Sequence, residues 1–140
     1  MEIYVRRASQ NDADAMLRLA AAFATSFVVE ESAFRVSFAE LIESPDAYLA
    51  VAQVGEEIAG YVLAFRHRTF FASGSVAWVE ELMVEEIQRR RGVGNALMQG
   101  AEGWARAGEC RIVALATRRA ADFYQALGYE ESATYFRKRL

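Results

Sequence analysis

Residues 78–97 read Trp-Val-Glu-Glu-Leu-Met-Val (78–84), Glu-Glu-Ile-Gln (85–88) and Arg-Arg-Arg-Gly-Val-Gly-Asn-Ala-Leu (89–97), and they decide the fold. The pattern predicts a strand, a short turn and the start of a helix. A helix start binds anions, because its first amides lack acceptors within the helix and its dipole is positive there. Glycine at 92 and 94 lets a ligand approach the backbone, and three successive arginines at this pole are unfavourable unless an anion offsets them. The stretch therefore predicts a binding site for a phosphate-bearing ligand.

The composition is that of one globular domain. The chain has 140 residues, of which 54% are hydrophobic and 25% charged, which is enough for a single core. The formal net charge of −3 argues against general nucleic-acid binding, and no apolar run approaches the ~20 residues that span a bilayer. Cys110, the only cysteine, cannot form an internal disulfide and lacks the spacing of a metal site. We therefore expect a cytoplasmic protein with no bound metal.

Helical periodicity and helix-ending residues predict four helices. Ser9 and Asp12 have the spacing of a capping box and open the first helix. Pro45 ends the second, because it disfavours helical backbone at the preceding residue. Gly100 and Gly103 lie inside the third, where each costs stability relative to alanine unless it permits close packing against the sheet. The apolar face of the first helix is predicted to consist of Ala13, Met16, Leu17, Ala20, Phe23, Ala24 and Phe27.

Apolar runs bounded by turn residues predict seven strands. Tyr48–Val54 and Ile58–Phe65 would form a hairpin around Gly55. Arg111–Thr117 is the continuous apolar kind that is typical of a buried parallel strand. The order strand, two helices, three strands, helix, strand, helix, two strands corresponds to a mixed α/β sheet. The other predicted elements are strands Ile3–Arg7, Val76–Val84, Tyr129–Glu131 and Thr134–Arg139 and a fourth helix over Ala120–Leu127.

This order and two motifs resemble the GNAT-type N-acetyltransferase superfamily over essentially the whole chain, 1–140, as a single domain. Residues 89–94 match its Gln/Arg-x-x-Gly-x-Gly/Ala signature, with Leu-Met-Val at 82–84 before it and Asn-Ala-Leu at 95–97 after it. Residues 121–129 resemble its second segment, Ala-x-x-Phe-Tyr-x-x-x-Gly-Phe. The resemblance implies the acyl-CoA N-acyltransferase fold, a mostly antiparallel sheet of about seven strands with four helices, splayed between the fourth and fifth strands.

The resemblance further implies that acetyl-CoA is a co-substrate held between those two strands. Its pyrophosphate would lie on the backbone of the turn, and arginine side chains would reach the remaining phosphate. Backbone groups of Met83 and Val84 would pair with the pantetheine arm as an added strand does. Superfamily members commonly have asparagine where this chain has Thr117, whose hydroxyl lacks an amide's combined donor and acceptor. The implied cofactor contacts are Leu82, Met83, Val84, Arg89, Arg90, Arg91, Gly92, Val93, Gly94, Asn95 and Thr117.

Tyr124 is implied to be the general acid, since a phenol of pKa ~10 stays protonated at neutral pH and can donate to a departing thiolate. The alternative is a tyrosine that only fills the core. Glu80 matches the position at which some polyamine-acetylating members have an acid that removes the amine proton through water. Strand alternation would send Glu80 and Glu81 to opposite faces, and the alternative for Glu80 is a solvent-facing or ion-paired glutamate. The expected reaction is direct transfer, helped by a backbone amide near Val84.

The acceptor wall of superfamily members lies between the first two helices. Glu30 and Glu31 fall there and would attract a cationic amine, although a solvated loop fits them equally. Phe70 and Phe71 would line a small closed pocket or cover the core. These expectations make Glu30, Glu31, Phe70 and Glu81 the candidate substrate contacts and a small-molecule primary amine the expected acceptor.

Several alternatives remain open from the sequence. A protein N-terminus or lysine as acceptor would need an open groove, and a non-catalytic acyl-CoA-binding regulatory module would have the same cofactor motifs. Nucleic-acid binding through the arginines is disfavoured by the net charge. His67, the only histidine, lies between two arginines, where a structural or exposed side chain is more typical than a catalytic one. A homodimer formed through edge strands is compatible with the pattern.

Overall fold

The computed structural model describes residues 2–24 and 27–140, which form one five-stranded sheet with helices on both faces. The strands are β1 Ile3–Arg7, β2 Ala47–Val54, β3 Glu57–Thr69, β4 Gly74–Val84 and β5 Val113–Leu115. The α-helices are α1 Ala13–Phe23, α2 Glu31–Glu43, α3 Val93–Ala107 and α4 Ala121–Ala126, and two 3₁₀ helices cover Gln10–Asp12 and Glu86–Gln88. No helix within these ranges is long and apolar enough to cross a membrane.

The strands lie side by side in chain order, from β1 to β5. The first four are antiparallel neighbours, and β5 is parallel to β4. The predicted hairpin is confirmed, because β2 and β3 pair around Gly55, whose φ of 62° is readily adopted by glycine. The predicted parallel strand is also confirmed, but it is shorter than Arg111–Thr117 and its side chains are half-buried. The mixed α/β sheet therefore stands, with β5 at its edge.

The prediction of seven strands is wrong, because the described residues form five. Tyr129–Glu131 and Thr134–Arg139 belong to no strand, and all side chains from 131 to 140 are exposed. The Tyr129 amide instead donates to the carbonyl of Tyr124 in the turn that ends α4. Phe136 is 87% exposed, so burial there does not offset the entropy cost of ordering a strand. The composition of these last residues is typical of strands, but they are not part of the sheet.

The core lies on both faces of the sheet. The cluster under α3 and α4 includes Ala50, Ala52, Val62, Ala64, Val79, Val93, Leu97, Met98, Ala101 and Tyr124. The cluster under α1 and α2 includes Met16, Leu19, Phe38, Leu49, Val51, Tyr61, Leu63 and Met83. The predicted face of α1 omitted Leu19, which is buried, and wrongly included Phe27, which lies beyond the end of α1 and is exposed.

The first helix begins as predicted. The Ser9 amide donates to Asp12 Oδ2 at 2.8 Å, which is half of a capping box. Asp12 is buried and accepts two hydrogen bonds from the Arg6 guanidinium, at 2.8 and 2.9 Å. This forked ion pair fastens the start of α1 to β1. The second helix ends at Glu43, with Ser44 extended in front of Pro45, as predicted.

The two glycines inside α3 differ in their surroundings. A Cβ built at Gly100 would lie 2.6 Å from the Tyr48 hydroxyl, so glycine permits the close packing that was predicted there. The Tyr48 ring is buried and stacked on Trp104, with ring centroids 5.5 Å apart. A Cβ at Gly103 would meet no atom within 4 Å, so the packing prediction is wrong for Gly103.

Candidate active site

The predicted strand, turn and helix start over 78–97 is confirmed. Helix α3 begins at Val93 after Gly92, whose φ of 87° lies in the left-handed region that favours glycine. The first hydrogen bond of the helix runs from the Ala96 amide to the Gly92 carbonyl at 3.0 Å. The amides of Val93, Gly94 and Asn95 precede that bond and are free of helical acceptors. They form the kind of backbone cradle that binds a phosphate.

The three arginines of the turn are exposed at this helix start. Arg89 Nε donates to the carbonyl of Val84 at 3.1 Å, which ties the turn to the end of β4. Arg90 has a φ of 64°, a left-handed conformation that costs a non-glycine residue about 1–3 kcal/mol. Such strain persists where the surrounding structure imposes it, commonly at ligand sites. The turn therefore has a defined backbone conformation and carries three positive charges.

Gly94, which belongs to the first sequence motif, packs against Phe123 of the second motif. A Cβ at this position would lie 3.1 Å from Phe123 Cζ and 3.7 Å from Val84 Cγ2. The absent side chain therefore lets α4 close against the start of α3 and the end of β4. Sequence reasoning explained this glycine by ligand approach alone, and the packing role became visible only in the tertiary structure.

Tyr124 lies on α4 next to Phe123, the residue that packs against Gly94 at the start of α3. It is 9% exposed. Its ring packs edge-on against Phe123 and Tyr129, with centroids 4.9 and 5.9 Å away. Burial raises the pKa of Tyr124 above the ordinary value for tyrosine, so the phenol remains a proton donor over a wider pH range. Tyr129 in turn donates from Oη to Glu102 on α3 at 2.7 Å. Sequence analysis did not find Glu102, since no local signal marks it.

The edge of β4 that faces away from β3 is open beyond Val79. Pairing with β5 ends at Val79 and Leu115, and from 80 to 84 the described residues offer no strand partner on that side. A Cβ added to Gly60 on β3 would lie 2.5 Å from the Met83 carbonyl oxygen. The Met83 carbonyl is therefore on the β3 side of β4. The Val84 carbonyl lies on the other edge, where Arg89 reaches it. Backbone groups alternate along a strand, so Val84, and not Met83, presents its carbonyl to the open edge.

A β-bulge interrupts β4 at the two glutamates. Leu63 pairs with Glu81 but its neighbour Ala64 pairs with Val79, so Glu80 is the extra residue and is exposed. Glu81 is half-buried and accepts a hydrogen bond from Tyr61 Oη at 2.6 Å. Tyr61 belongs to the cluster under α1 and α2, whereas Tyr124 belongs to the cluster under α3 and α4. The hydroxyl of Tyr61 therefore holds Glu81 on the face of the sheet opposite to Tyr124.

Thr117 lies between β5 and α4 and is exposed. Its Oγ1 accepts a hydrogen bond from the Ala120 amide at 3.0 Å. The hydroxyl thus supports the loop that leads into α4. Its proton remains available to donate to another acceptor.

The two acids at the start of α2 are engaged locally. Glu30 accepts a hydrogen bond from Ser32 Oγ at 2.7 Å. Glu31 pairs with Arg35 at 3.2 Å, and Arg35 also pairs with Asp14 on α1 at 2.7 Å. The charge of Glu31 is therefore shared with an arginine, which weakens it as an anchor for a second cation.

The prediction that Phe70 and Phe71 line a pocket is wrong. Both are exposed at the tip of the β3–β4 hairpin. Glu81 is seven positions beyond Gly74 along β4, a distance of about 23 Å at ~3.3 Å per residue, so the hairpin tip is remote from the two glutamates. His67 is exposed on the same hairpin, as expected for a histidine between two arginines.

An unpaired strand edge, a helix start with free amides and three arginines, and a buried phenol on the neighbouring helix form the arrangement expected of a coenzyme A-dependent transferase. The chain belongs to the Acetyltransferase (GNAT) family, whose model matches residues 13–129. Among curated protein sequences, none matches the chain. The resemblance to this family noted from the motifs is thereby confirmed.

Solved structures share the fold over the whole chain. A transcriptional regulator from Bacillus halodurans C-125 is 23% identical with a TM-score of 0.88, covering 99% of this chain and 100% of the other. Glucosamine-6-phosphate N-acetyltransferase from Arabidopsis thaliana is 16% identical with a TM-score of 0.87, covering 99% of each chain. AAC(6')-Iy in complex with the bisubstrate analog CoA-S-monomethyl-acetylneamine is 20% identical with a TM-score of 0.85, covering 100% of each. Similarity at this level of identity establishes the fold alone.

Proposed function

We propose that this protein transfers the acetyl group of acetyl-CoA to a primary amine of a small molecule by direct attack. The observation that carries the proposal is the open edge of β4 next to the free amides at the start of α3. The pyrophosphate would bind the amides of Val93, Gly94 and Asn95. Arg89, Arg90 or Arg91 would contact the remaining phosphate, a role that suits the guanidinium group.

The pantetheine arm would run along the unpaired edge of β4, as an added strand does. The Val84 carbonyl points to that edge. The Leu82 carbonyl points the same way, because residues two apart along a strand have the same orientation. The Arg89 side chain that now bonds the Val84 carbonyl would move to the phosphates when the cofactor binds. Separation of β4 from β5 beyond Val79 would provide the space for the thioester, and Thr117 could donate a hydrogen bond to the arm.

In the reaction, the amine nitrogen attacks the thioester carbonyl carbon, and the carbon–sulfur bond then breaks. Tyr124 would donate its proton to the departing thiolate, which suits a phenol whose pKa burial has raised. The proton lost by the amine would pass through water to Glu80, which the bulge exposes to solvent. A backbone amide near Val84 would stabilise the oxyanion. The other contribution is positioning of the two reactants.

Two of the structural neighbours support a small-molecule acceptor. One is named for glucosamine 6-phosphate, and the other contains an acetylneamine analog joined to coenzyme A. A protein N-terminus or lysine is the rival acceptor. The Bacillus halodurans neighbour is described as a transcriptional regulator, which favours a non-catalytic acyl-CoA-binding module as the second candidate function.

The test is an acceptor screen with acetyl-CoA that measures thiol release, together with calorimetry of acetyl-CoA binding. We expect binding and amine-dependent release, with Tyr124→Phe lowering kcat by about 10²- to 10⁴-fold and leaving the Kd of acetyl-CoA nearly unchanged. Binding without release from any amine or peptide would favour the regulatory module. Absence of binding would refute both candidates.

A further inference from the structure

We propose that residues 130–140, the C-terminal tail, pair with the same segment of a second copy of this chain as an antiparallel two-stranded ribbon. The ribbon would lie outside the five-stranded sheet and join two copies around a two-fold axis. The inference goes beyond the proposed function and does not depend on it. It assigns a role to a segment that neither sequence motif contains.

The C-terminal tail is exposed although it carries large apolar side chains. Tyr135 is 57% exposed, Phe136 is 87% exposed, and Leu140 is fully exposed. The Arg139 guanidinium carbon lies 4.5 Å from the centroid of the Phe27 ring. Phe27 is itself 63% exposed, so this contact covers little of the tail. Large apolar side chains grouped on one exposed segment are typical of an interaction surface.

The tail begins at a point that is fixed to the domain. The Tyr129 amide donates to the Tyr124 carbonyl at 3.0 Å, and Tyr129 Oη donates to Glu102 at 2.7 Å. In extended conformation, residues 130–140 span about 36 Å at ~3.3 Å per residue, which is long enough for a strand of ordinary length. Because the start of the tail is already ordered, pairing has to order only the residues beyond it.

The charge pattern of the tail identifies a second copy as the partner. Glu130 and Glu131 lie at its start, and Arg137 and Lys138 lie near its end. Antiparallel pairing around a two-fold axis at Thr134 places Glu130 of one copy opposite Lys138 of the other, and Glu131 opposite Arg137. Each pair occurs twice, because a two-fold interface repeats every contact. Opposite charges that face each other across two strands stabilise the pairing, and like charges destabilise it.

The same register places an aromatic side chain opposite a small one. Phe136 would lie opposite Ser132, and Tyr135 opposite Ala133, so neither ring meets another bulky side chain directly. A two-stranded ribbon is only marginally stable by itself. We therefore expect a weak dimer that dissociates on dilution and at high salt, since much of its stability comes from exposed charge pairs.

The test reverses the charges at each end of the tail separately. One variant carries Glu130→Lys and Glu131→Lys, and the other carries Arg137→Glu and Lys138→Glu. Each variant alone should raise the dissociation constant of the dimer by at least about 10-fold, because every charge pair becomes repulsive. An equimolar mixture of the two should recover the dimer, because every charge then faces an opposite one. Sedimentation velocity over a range of protein concentrations measures all three samples.

The matched control carries Glu56→Lys and Glu57→Lys, which reverse two exposed charges at the β2–β3 turn and should leave the dimer intact. A wild type that stays monomeric at every concentration would overturn the inference. Dimers that persist in both tail variants would place the interface elsewhere. A mixture that stays monomeric would refute antiparallel pairing of tail with tail. Circular dichroism during thermal unfolding verifies that each variant retains its fold.

Discussion

Tyr129 Oη lies 2.7 Å from Glu102 Oε2, and this hydrogen bond joins the segment after α4 to the middle of α3. The Tyr129 ring also packs edge-on against Tyr124, with centroids 5.9 Å apart. The phenol proposed as the general acid is therefore supported by a side chain that is itself anchored to a different helix. Support of this kind locks the rotamer of a reacting group.

Replacement of Tyr129 by phenylalanine should lower both stability and kcat. The change removes the donor to Glu102, whose side chain is half-buried, and we expect a loss of about 1–3 kcal/mol in the free energy of unfolding. The Tyr124 ring would gain freedom, so kcat should fall while the Kd of acetyl-CoA stays the same. Urea unfolding and steady-state kinetics measure the two effects. Tyr135→Phe, at an exposed tyrosine, is the control, and equal behaviour of the two variants would contradict the prediction.

Alanine at Gly100 and at Gly103 should have opposite effects on stability. At Gly100 the added Cβ would lie 2.6 Å from the Tyr48 hydroxyl and 3.2 Å from Val5 Cγ1. Tyr48 cannot move away easily because it is stacked on Trp104. We therefore expect alanine at position 100 to lower the free energy of unfolding by about 1–3 kcal/mol. Gly103 faces open space, and alanine should add up to ~1 kcal/mol through helix propensity. The two free energies of unfolding in urea form a matched pair, and a shared sign would show that the packing at Gly100 is misjudged.

Asp12→Asn should destabilise the protein in a pH-dependent way. The Arg6 guanidinium lowers the pKa of Asp12 below its ordinary value, with a further contribution from the Ser9 amide. A carboxyl whose pKa is lower in the folded state stabilises that state above its unfolded pKa, and the contribution is lost as the pH falls through the folded pKa. We expect a difference of about 1–3 kcal/mol between wild type and variant near pH 7.

That difference should stay constant at pH values well above the ordinary carboxyl pKa of ~3.9 and shrink below it, as the carboxyl takes up a proton first in the unfolded state and then, at lower pH, in the folded state. Urea unfolding at a series of pH values measures it. Asp14→Asn, which alters an exposed carboxylate of the neighbouring ion pair with Arg35, is the control and should change stability much less. A difference for Asp12→Asn that grew at low pH would reverse the assigned sign.

Arg89→Ala should weaken acetyl-CoA binding by about 10-fold, the usual value of one charge-assisted contact. It should also reduce the dependence of the Kd on salt, because one cation facing the phosphates is removed. Arg68→Ala removes an equally exposed charge from the β3–β4 hairpin and should leave the Kd unchanged. Isothermal calorimetry at two ionic strengths measures both effects, and an unchanged Kd in the Arg89 variant would remove this side chain from the site.

The strand, turn and helix start over 78–97 could be predicted because their signals are local. A glycine that takes a left-handed conformation at the helix start, an arginine run and a change from strand to helix periodicity all lie within that one stretch. The predicted closing strands were wrong for the opposite reason. A strand needs a partner strand as well as a suitable composition, and the residues after Tyr129 are exposed and belong to no strand.

The amino-acid sequence by itself determined the mixed α/β fold, the basic helix start and the tyrosine of the second motif, since periodicity, glycine conformation and charge act between near neighbours. Only the tertiary structure decided that Glu80 is the bulged residue, that Tyr61 holds Glu81, and that Tyr124 lies on the opposite face of the sheet. Those relations join residues up to tens of positions apart. They depend on strand register and packing, and a shift of one residue in register would exchange the two faces.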